Sequence, residues 1–272
     1  MLTLALALSF AVRDVRVFDG ERVLPQANVV VSGGSIEAVG PDVPIPEGVE
    51  VIEGAGTTLL PGFIDSHAHV FADALERAVV FGVTMELDMF TSHEAIRKLK
   101  ASRAINADFL TAGTAITVPG GHGSQYFPIP TFHPGSDAQA FIDARIAEGS
   151  DYIKLIHESG EGYGKRAPTL SEGDLKALIA AAHKRGKKAV VHVSTEKSAR
   201  AAIEAGADGL VHIFGTAAPG DTFGTFAAEH DVFVVPTLTI VESASGVASG
   251  ASLLDDARIR PWQTLRGGRE PR

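Results

Sequence analysis

Two histidines separated by one residue, His67 and His69, close an apolar run that begins at Leu59. Side chains two residues apart point to the same face of a β-strand, so this spacing brings both imidazoles to one point. Imidazole nitrogen is the commonest protein ligand for zinc and similar cations, and Asp65 lies two residues upstream. The bare tripeptide also arises by chance, but at the end of an apolar strand it indicates half of a metal site.

Three further residues with metal-site chemistry lie in or near the ends of other short apolar segments: Lys154 in 151–156, His192 in 188–193 and His212 in 209–213. Each histidine taken alone is equally consistent with a hydrogen-bonded core residue, whereas a surface role for a lysine in so apolar a segment is not favoured. Parallel barrels place their functional groups at the carboxyl ends of strands and in the loops that follow. The shared strand positions therefore predict one composite site.

The elements that position these residues alternate between apolar and helical segments from residue 57 onward, which indicates βα units and a parallel sheet. Thr169 or Ser171 is predicted to cap the helix over 171–185, and Gly186 to end it. One more helix is predicted from Leu253. Seven strands are recognisable, over residues 59–69, 82–90, 109–113, 151–156, 188–193, 209–213 and 231–238.

Residues 11–56 have a different pattern, with short β-type segments separated by turn signals such as Asp19-Gly20 and Gly40-Pro41. They predict a small antiparallel sheet with a structural role. Residues 1–10 are too short for a transmembrane helix and lack a basic segment before the apolar run. They are therefore interpreted as a half-buried strand, with the remnant of an export signal as the alternative.

Composition excludes several classes of protein. The chain has 272 residues, a formal net charge of −9 and no cysteine. Its length suits one barrel of roughly 250 residues with a small appendage. The negative charge argues against nucleic acid and anionic membranes as partners. Without cysteine, any metal must be bound by histidine, carboxylate or modified lysine.

As a set, the motifs closely resemble those of the binuclear metal-dependent amidohydrolases, in the branch of imidazolonepropionase-like and Xaa-Pro dipeptidase-like (prolidase-like) enzymes. The resemblance implies an α/β fold, a (β/α)8 TIM-type barrel with seven of its eight strands recognisable, and a small N-terminal β-sandwich-like subdomain. The expected domains are 1–56 and 57–272. The motifs that carry the resemblance lie at 61–69, 113–115, 120–123, 151–154, 191–193 and 205–212.

The resemblance also implies a ligand set. His67 and His69 would bind the more buried of two divalent metals, and His192 and His212 the more exposed one. Lys154, carboxylated by carbon dioxide, would bridge both. Zinc is the expected metal, and manganese or cobalt would also suit these donors.

Two loop residues are assigned catalytic contacts together with the carbamate on Lys154. His122, in the Gly-Gly-His-Gly segment, would contact the carbonyl or carboxylate of the substrate, although a loop histidine without a role is a close alternative. Tyr163, in the loop after the fourth strand, could donate a hydrogen bond to the developing oxyanion. The segment around His122 lacks the Gly-Lys-Ser/Thr ending of a P-loop, so nucleotide binding is not predicted for it.

The implied function is hydrolysis of an amide C–N bond in a small molecule or dipeptide by metal-activated hydroxide. The expected location is the cytoplasm, or outside it if residues 1–10 are an export remnant. A homo-oligomer is allowed for, whereas nucleic acid and membrane are not expected partners. A catalytically impaired or non-catalytic metal-binding remnant is the alternative. A phosphate-binding barrel is disfavoured because residues 239–246 make a poor phosphate site.

The sequence departs from the family pattern after the seventh strand. The family's general base is an aspartate at the end of strand eight, and no Gly-Thr-Asp motif is found. The nearest acids, Glu242, Asp255 and Asp256, end no apolar strand. A truncated or frame-shifted chain is the simplest expectation, with weak metal binding, low activity and exposed edges at strands one and seven.

Overall fold

A computed structural model of the chain describes residues 9–102, 106–161, 164–247 and 249–260. The chain divides into two compact units, Met1–Gly62 and Phe63–Arg272. Among the described residues, no helix combines the length and apolar character needed to cross a membrane.

The first unit is a five-stranded sheet. Its strands are β1 to β5, at Phe10–Phe18, Val23–Ser32, Ser35–Gly40, Glu50–Glu53 and Thr58–Leu59. Antiparallel pairing joins β1 to β2 and β2 to β3, whereas β4 and β5 pair with β1 in parallel. The prediction of an antiparallel sheet over residues 11–56 was therefore wrong for β4, and the parallel strand β5 adds to the sheet from beyond that range. Residues 41–49 form a connection that returns the chain to run alongside β1, whereas a tight hairpin would reverse it.

The segment predicted as one strand over residues 59–69 is two separate strands. Thr58–Leu59 pairs with β1 in the first unit, and the next strand begins only at Phe63. Pro61 lies between them. Proline has no backbone N–H to donate to a ladder, so it interrupts the pairing at this point.

The second unit contains seven parallel strands. They are β6 to β12, at Phe63–Ala68, Val83–Asp88, Asp108–Thr111, Ile153–Ile156, Ala189–His192, Gly209–Val211 and Phe233–Val235. Neighbours pair in chain order within β6-β7-β8 and within β9-β10-β11-β12. An isolated parallel bridge between Ile116 and Leu155 links the two groups. This order is that of a (β/α) barrel, and no pairing between β6 and β12 is found in the described part of the chain.

Seven helices accompany these strands in the described residues, together with a 3₁₀ helix at Ser249–Asp255. They are α1 to α7, at Ala74–Val80, His93–Lys100, Ala138–Ala147, Glu172–Lys184, Glu196–Glu204, Phe223–Glu229 and Leu238–Ala244. The predicted cap is confirmed for α4, where the Ser171 hydroxyl accepts the N–H of Asp174 at 3.1 Å. Gly186 follows the end of α4 with a φ of 66°.

The seventh strand is shorter than predicted. Residues 231–238 were expected to be extended, but β12 ends at Val235 and α7 begins at Leu238. Thr237 has a φ of 48°, in the left-handed region, and this conformation turns the chain out of the strand. The 3₁₀ helix overlaps the start of the helix predicted from Leu253, whose part from residue 261 lies outside the described residues.

The main core of the second unit lies between the middle strands and helices α3 to α5. Every residue of β9, β10 and β11 is buried. On the covering side, α4 contributes Leu175, Leu178 and Ile179, and α3 contributes Ile142. This packing holds the carboxyl ends of β9 and β10 in place, and the polar residues of interest lie at those ends.

Candidate active site

The ends of β6 and β7 orient the first pair of histidines. His67 lies in β6, and His69 follows directly after it. The Nδ1 atom of His69 lies 3.1 Å from the carbonyl oxygen of Phe90. A carbonyl oxygen can only accept, so Nδ1 of His69 carries the proton and Nε2 keeps its lone pair. Such a carbonyl contact is the usual partner of a metal-binding imidazole.

His67 has a buried nitrogen without a partner. Its Nδ1 atom makes no hydrogen bond. Burial lowers the pKa of His67 to about 3, and the positive charge of Lys154 acts in the same direction. The ring is therefore neutral at neutral pH, which is the form that binds a cation.

Lys154 lies in the interior of β9 and is only 4% exposed. Burial lowers the pKa of its amine to about 7, although the nearby carboxylate of Asp88 acts in the opposite direction. The register places Lys154 beside Val190 of β10, in the middle of the covered sheet. An amine in this position is partly neutral at neutral pH and is therefore able to act as a nucleophile.

His192 ends β10 and is almost completely buried. Burial lowers its pKa to about 4, and Glu158 opposes that shift. The Nε2 atom of His192 makes no hydrogen bond and lies 3.6 Å from Oε2 of Glu158. Glu158 is not among the site residues predicted from the sequence. Its place just after the apolar β9, four residues beyond Lys154, was the signal that could have found it.

His212 is held by a pair of left-handed residues. It follows β11 with a φ of 70°, and Thr237 has a φ of 48°. The Nδ1 atom of His212 lies 2.8 Å from the hydroxyl of Thr237, and the backbone N–H of His212 donates to the carbonyl of Val235. Non-glycine residues in this region are strained and concentrate at functional sites. The pKa of His212 is lowered to about 2, chiefly by burial.

His122 lies in a loop that packs closely over β9. Gly123 has a φ of 96°, and a Cβ atom there would lie 2.8 Å from Ile156. Only glycine therefore allows the loop to come this close. The Nδ1 atom of His122 lies 3.5 Å from the side-chain nitrogen of Gln125. Burial lowers the pKa of His122, and the nearby Glu158 partly offsets that effect.

The five imidazoles form a continuous row of ring contacts. The centroids lie 5.6 Å apart for His69 and His67, and 4.5 Å apart for His67 and His212. They lie 4.6 Å apart for His212 and His192, and 4.8 Å apart for His192 and His122. In the described residues, no three His, Cys, Asp or Glu side chains are arranged to hold a metal ion. The structure thus brings the predicted histidines together with their rings packed against one another.

Asp88, at the end of β7, is a second buried acid that sequence reasoning missed. It accepts a hydrogen bond from the hydroxyl of Thr111 and another from the N–H of Val70. Burial raises the pKa of Asp88 to about 6. Its negative charge acts on Lys154, so the acid and the amine belong to one electrostatic cluster. Its signal was an aspartate at the end of an otherwise apolar strand.

A cavity of about 520 Å³ opens onto the histidine row. The ring of Phe71 stacks on His69 with centroids 5.9 Å apart, and Phe90 stacks on Phe127 at 5.0 Å. Aromatic rings therefore form part of the cavity wall. The residues that line it are His69, Phe71, Phe90, Ala115, His122, Gly123, Tyr126, Phe127, Lys154, Ile156, His192 and His212. The predicted residue Tyr163 lies outside the described residues.

The strands of the second unit and the site described above lie within the part of the chain that matches a known protein family. The model of the amidohydrolase family matches residues 58–261, three quarters of the chain. The chain belongs to the amidohydrolase family. Amidohydrolases of this family are generally metal-dependent hydrolases, and the predicted family and barrel-type fold are thereby confirmed.

Individual relatives are more distant. An uncharacterized protein of Mycobacterium tuberculosis is 28% identical over 228 residues, which is 74% of this chain and 58% of the relative. The imidazolonepropionase of an Arthrobacter species is 27% identical over 144 residues, 53% of this chain and 28% of that enzyme. The chain thus spans less than two thirds of the length of these curated amidohydrolases.

Solved structures agree on the fold. The crystal structure of a Xaa-Pro dipeptidase with methionine bound in its active site superposes with a TM-score of 0.73. The two sequences are 19% identical, and the match covers 94% of this chain and 73% of the other. At this identity the likeness establishes the shared amidohydrolase architecture.

Proposed function

We propose that this amidohydrolase cleaves an amide C–N bond of a small molecule or dipeptide with the help of two divalent cations. The observation that carries the proposal is the row of neutral imidazoles beside a buried lysine at the strand ends. Neutral imidazole nitrogens buried without partners are unfavourable in a folded protein. Cations bound at this place would satisfy them.

The donor types present, imidazole nitrogens beside a buried lysine, are ones that such cations bind. His67 and His69 would hold one of them, and His192 and His212 the other. The unpartnered Nδ1 of His67 and Nε2 of His192 and the lone pair on Nε2 of His69 supply nitrogen ligands of the kind that zinc prefers. Manganese or cobalt would also bind such a set. Bound there, divalent cations polarise a scissile carbonyl and lower the pKa of water.

Lys154 would bridge the two cations as a carbamate. Its neutral amine attacks carbon dioxide, an N–C bond forms and one proton is released. The lowered pKa of the amine supports this role, because the uncharged form is present near neutral pH. Such a carbamate would supply two oxygen donors beside the histidines.

The cavity supports a substrate with an apolar or aromatic group beside the amide bond. Phe90, Tyr126 and Phe127 would pack against that group, and His122 would contact the carbonyl or carboxylate of the substrate. Tyr163 remains a predicted hydrogen-bond donor to the oxyanion. In this scheme the chain's own residues bind and orient the substrate, and the aromatic wall excludes water from one side of it.

Metal analysis combined with a substrate screen tests the proposal. The metal-stripped chain is reloaded with Zn²⁺, Mn²⁺ or Co²⁺ and assayed on Xaa-Pro dipeptides, N-acyl amino acids and aryl amides. We expect hydrolysis that Lys154→Ala abolishes, with kcat/KM at least about tenfold higher for aromatic than for small aliphatic substrates. Phe127→Ala should raise KM, and Phe81→Ala, at an exposed position away from the cavity, should not. Two bound metals without turnover on any substrate would contradict hydrolysis.

A non-catalytic metal-binding protein is the second candidate. It is favoured by the acids that follow β12 in the described residues. Glu242 lies in α7, Asp255 ends the 3₁₀ helix, and Asp256 is paired with Arg258 at 2.6 Å. None of these three lines the histidine cavity. Stoichiometric metal without activity on the same panel would support this candidate.

A further inference from the structure

Glu158 is a buried acid with one oxygen held by a hydrogen bond and the other facing His192. The residue is only 2% exposed. Its backbone N–H donates to the hydroxyl of Thr169 at 2.8 Å, and its Oε1 atom accepts the N–H of Gly160. Within the described part of the chain, the Oε2 atom makes no hydrogen bond of normal length and lies 3.6 Å from Nε2 of His192. Burial acts to raise the pKa of Glu158, but the side chains of His192 and Ser194 and the N–H of Gly160 lower it overall. The carboxylate is therefore held in place with Oε2 directed at His192.

The nitrogen of His192 that faces Glu158 is also buried, and it makes no hydrogen bond within the described residues. This Nε2 atom lies 3.6 Å from Oε2 of Glu158. This separation is longer than a normal hydrogen bond. Leaving either atom unpaired in the interior is unfavourable. Both atoms would be satisfied by one positively charged species placed between them.

The gap has the size that a cation requires. Two ligands at about 2.0–2.2 Å from a tetrahedral zinc ion are separated by about 3.3–3.6 Å. The observed 3.6 Å falls at the end of that range. Glu158 lines a cavity of about 360 Å³, and His122 lies in the wall of both this cavity and the aromatic one.

We propose that Glu158 is a carboxylate ligand of the cation held by His192. This inference rests on the proposed metal-dependent function and adds a ligand from the loop after β9 to those on the strands. A carboxylate also supplies negative charge where the other donors of this cation are neutral imidazoles. A cation bound here would also offset the unfavourable burial of the Glu158 carboxylate.

Titration of the metal-stripped full chain with Zn²⁺ and Co²⁺ tests this role, by calorimetry and by the visible spectrum of bound Co²⁺. We expect Glu158→Gln to weaken one of the two metal equivalents at least tenfold and to change the Co²⁺ spectrum. Glu158→Asp, which keeps the charge on a shorter side chain, should lose less affinity. The matched control is Glu86→Gln, at another buried acid with a free oxygen, whose charged neighbours are Asp65 and Asp88.

Thermal unfolding of the metal-free proteins separates a ligand from an internal ion pair. Because the neighbours of Glu158 lower the pKa of its carboxyl only in part through His192, Glu158→Gln should lower the metal-free Tm by no more than about 2 °C. A loss several times larger would show that Glu158 and His192 form a structural ion pair, and this would overturn the proposal. Wild-type affinity for both metals in Glu158→Gln would overturn it as well. Failure of the wild-type chain to bind any metal would instead overturn the proposed function, and the Glu158 role with it.

Discussion

The middle and the outer strands of the second unit differ sharply in their surroundings. Every residue of β9 and β10 is buried between α3, α4 and the site. On β6, in contrast, Phe63 is 57% and Ile64 is 65% exposed, and β12 exposes Phe233 and Val234. The two kinds of strand contribute to the same row of histidines.

This difference separates two ways of positioning a ligand. Lys154 and His192 are fixed by close packing on both faces of their strands. His67 lies on an outer strand, and His212 depends on a hydrogen bond to Thr237, just beyond the other outer strand. Packing in the core therefore fixes the positions of Lys154 and His192, whereas a few local contacts fix those of His67 and His212.

The largest effect should come from the core itself. Leu155 of β9 is fully buried in the main cluster, and Leu155→Ala should lower the free energy of unfolding by about 3 kcal/mol through lost burial and a cavity. Ile64→Ala on β6 should lower it by no more than about 0.5 kcal/mol. Urea unfolding followed by circular dichroism measures both. Equal losses would remove the contrast between the strands.

Acid should weaken the metal-free protein through its histidines. The folded-state pKa values of His67, His192 and His212 are about 3, 4 and 2, below the unfolded value of about 6.5. The unfolded chain therefore binds more protons as pH falls from 7 to 5, and stability is lost in that window. Asp88, with a pKa raised to about 6, acts in the opposite direction.

The three histidines outweigh the one acid, and Lys154, whose pKa is lowered to about 7, acts in the same direction as the histidines. The free energy of unfolding should therefore fall by on the order of 4 kcal/mol between pH 7 and pH 5. Urea titrations at each pH measure it. His67→Asn should reduce the slope, because it removes one of the groups that protonate only on unfolding. A stability that is flat or rises toward pH 5 would be inconsistent with neutral buried imidazoles.

A smaller effect is expected at Thr237, whose hydroxyl contacts the imidazole of His212. Thr237→Val keeps the β-branched shape and the backbone strain, but removes the hydroxyl 2.8 Å from Nδ1 of His212. Affinity for one metal should fall about tenfold. Thr239→Val, at an exposed position in α7, is the matched control. Calorimetry that finds no difference between the two variants would show that the core alone positions His212.

The smallest change in stability is predicted for the exposed face of β6. Ile64→Lys should change the free energy of unfolding by no more than about 0.5 kcal/mol. It should reduce self-association, because a charge on an exposed strand opposes edge-to-edge pairing. Sedimentation velocity over a range of concentrations measures this. A wild-type chain that stays monomeric throughout would argue against a homo-oligomer formed through this strand.

Much of the second unit was predictable from local pattern. Each of the strands from β7 to β12 overlaps a predicted segment, with β8 beginning one residue early at Asp108, and α6 has the predicted bounds of residues 223–229. Short apolar segments and helix caps are signals that depend only on neighbours in the chain. The errors lie where distant partners decide the structure, at the parallel pairing of β4 and at the break around Pro61.

The sequence by itself determined the family, the order of strands and helices, and which residue types stand at the strand ends. His67, His69, Lys154, His192 and His212 could be found in this way because each follows or lies in an apolar segment. The tertiary structure alone decided how these groups meet. It placed Asp88 near Lys154 and Glu158 opposite His192. Burial and pairing are properties of distant segments brought together, and spacing along the chain does not encode them directly.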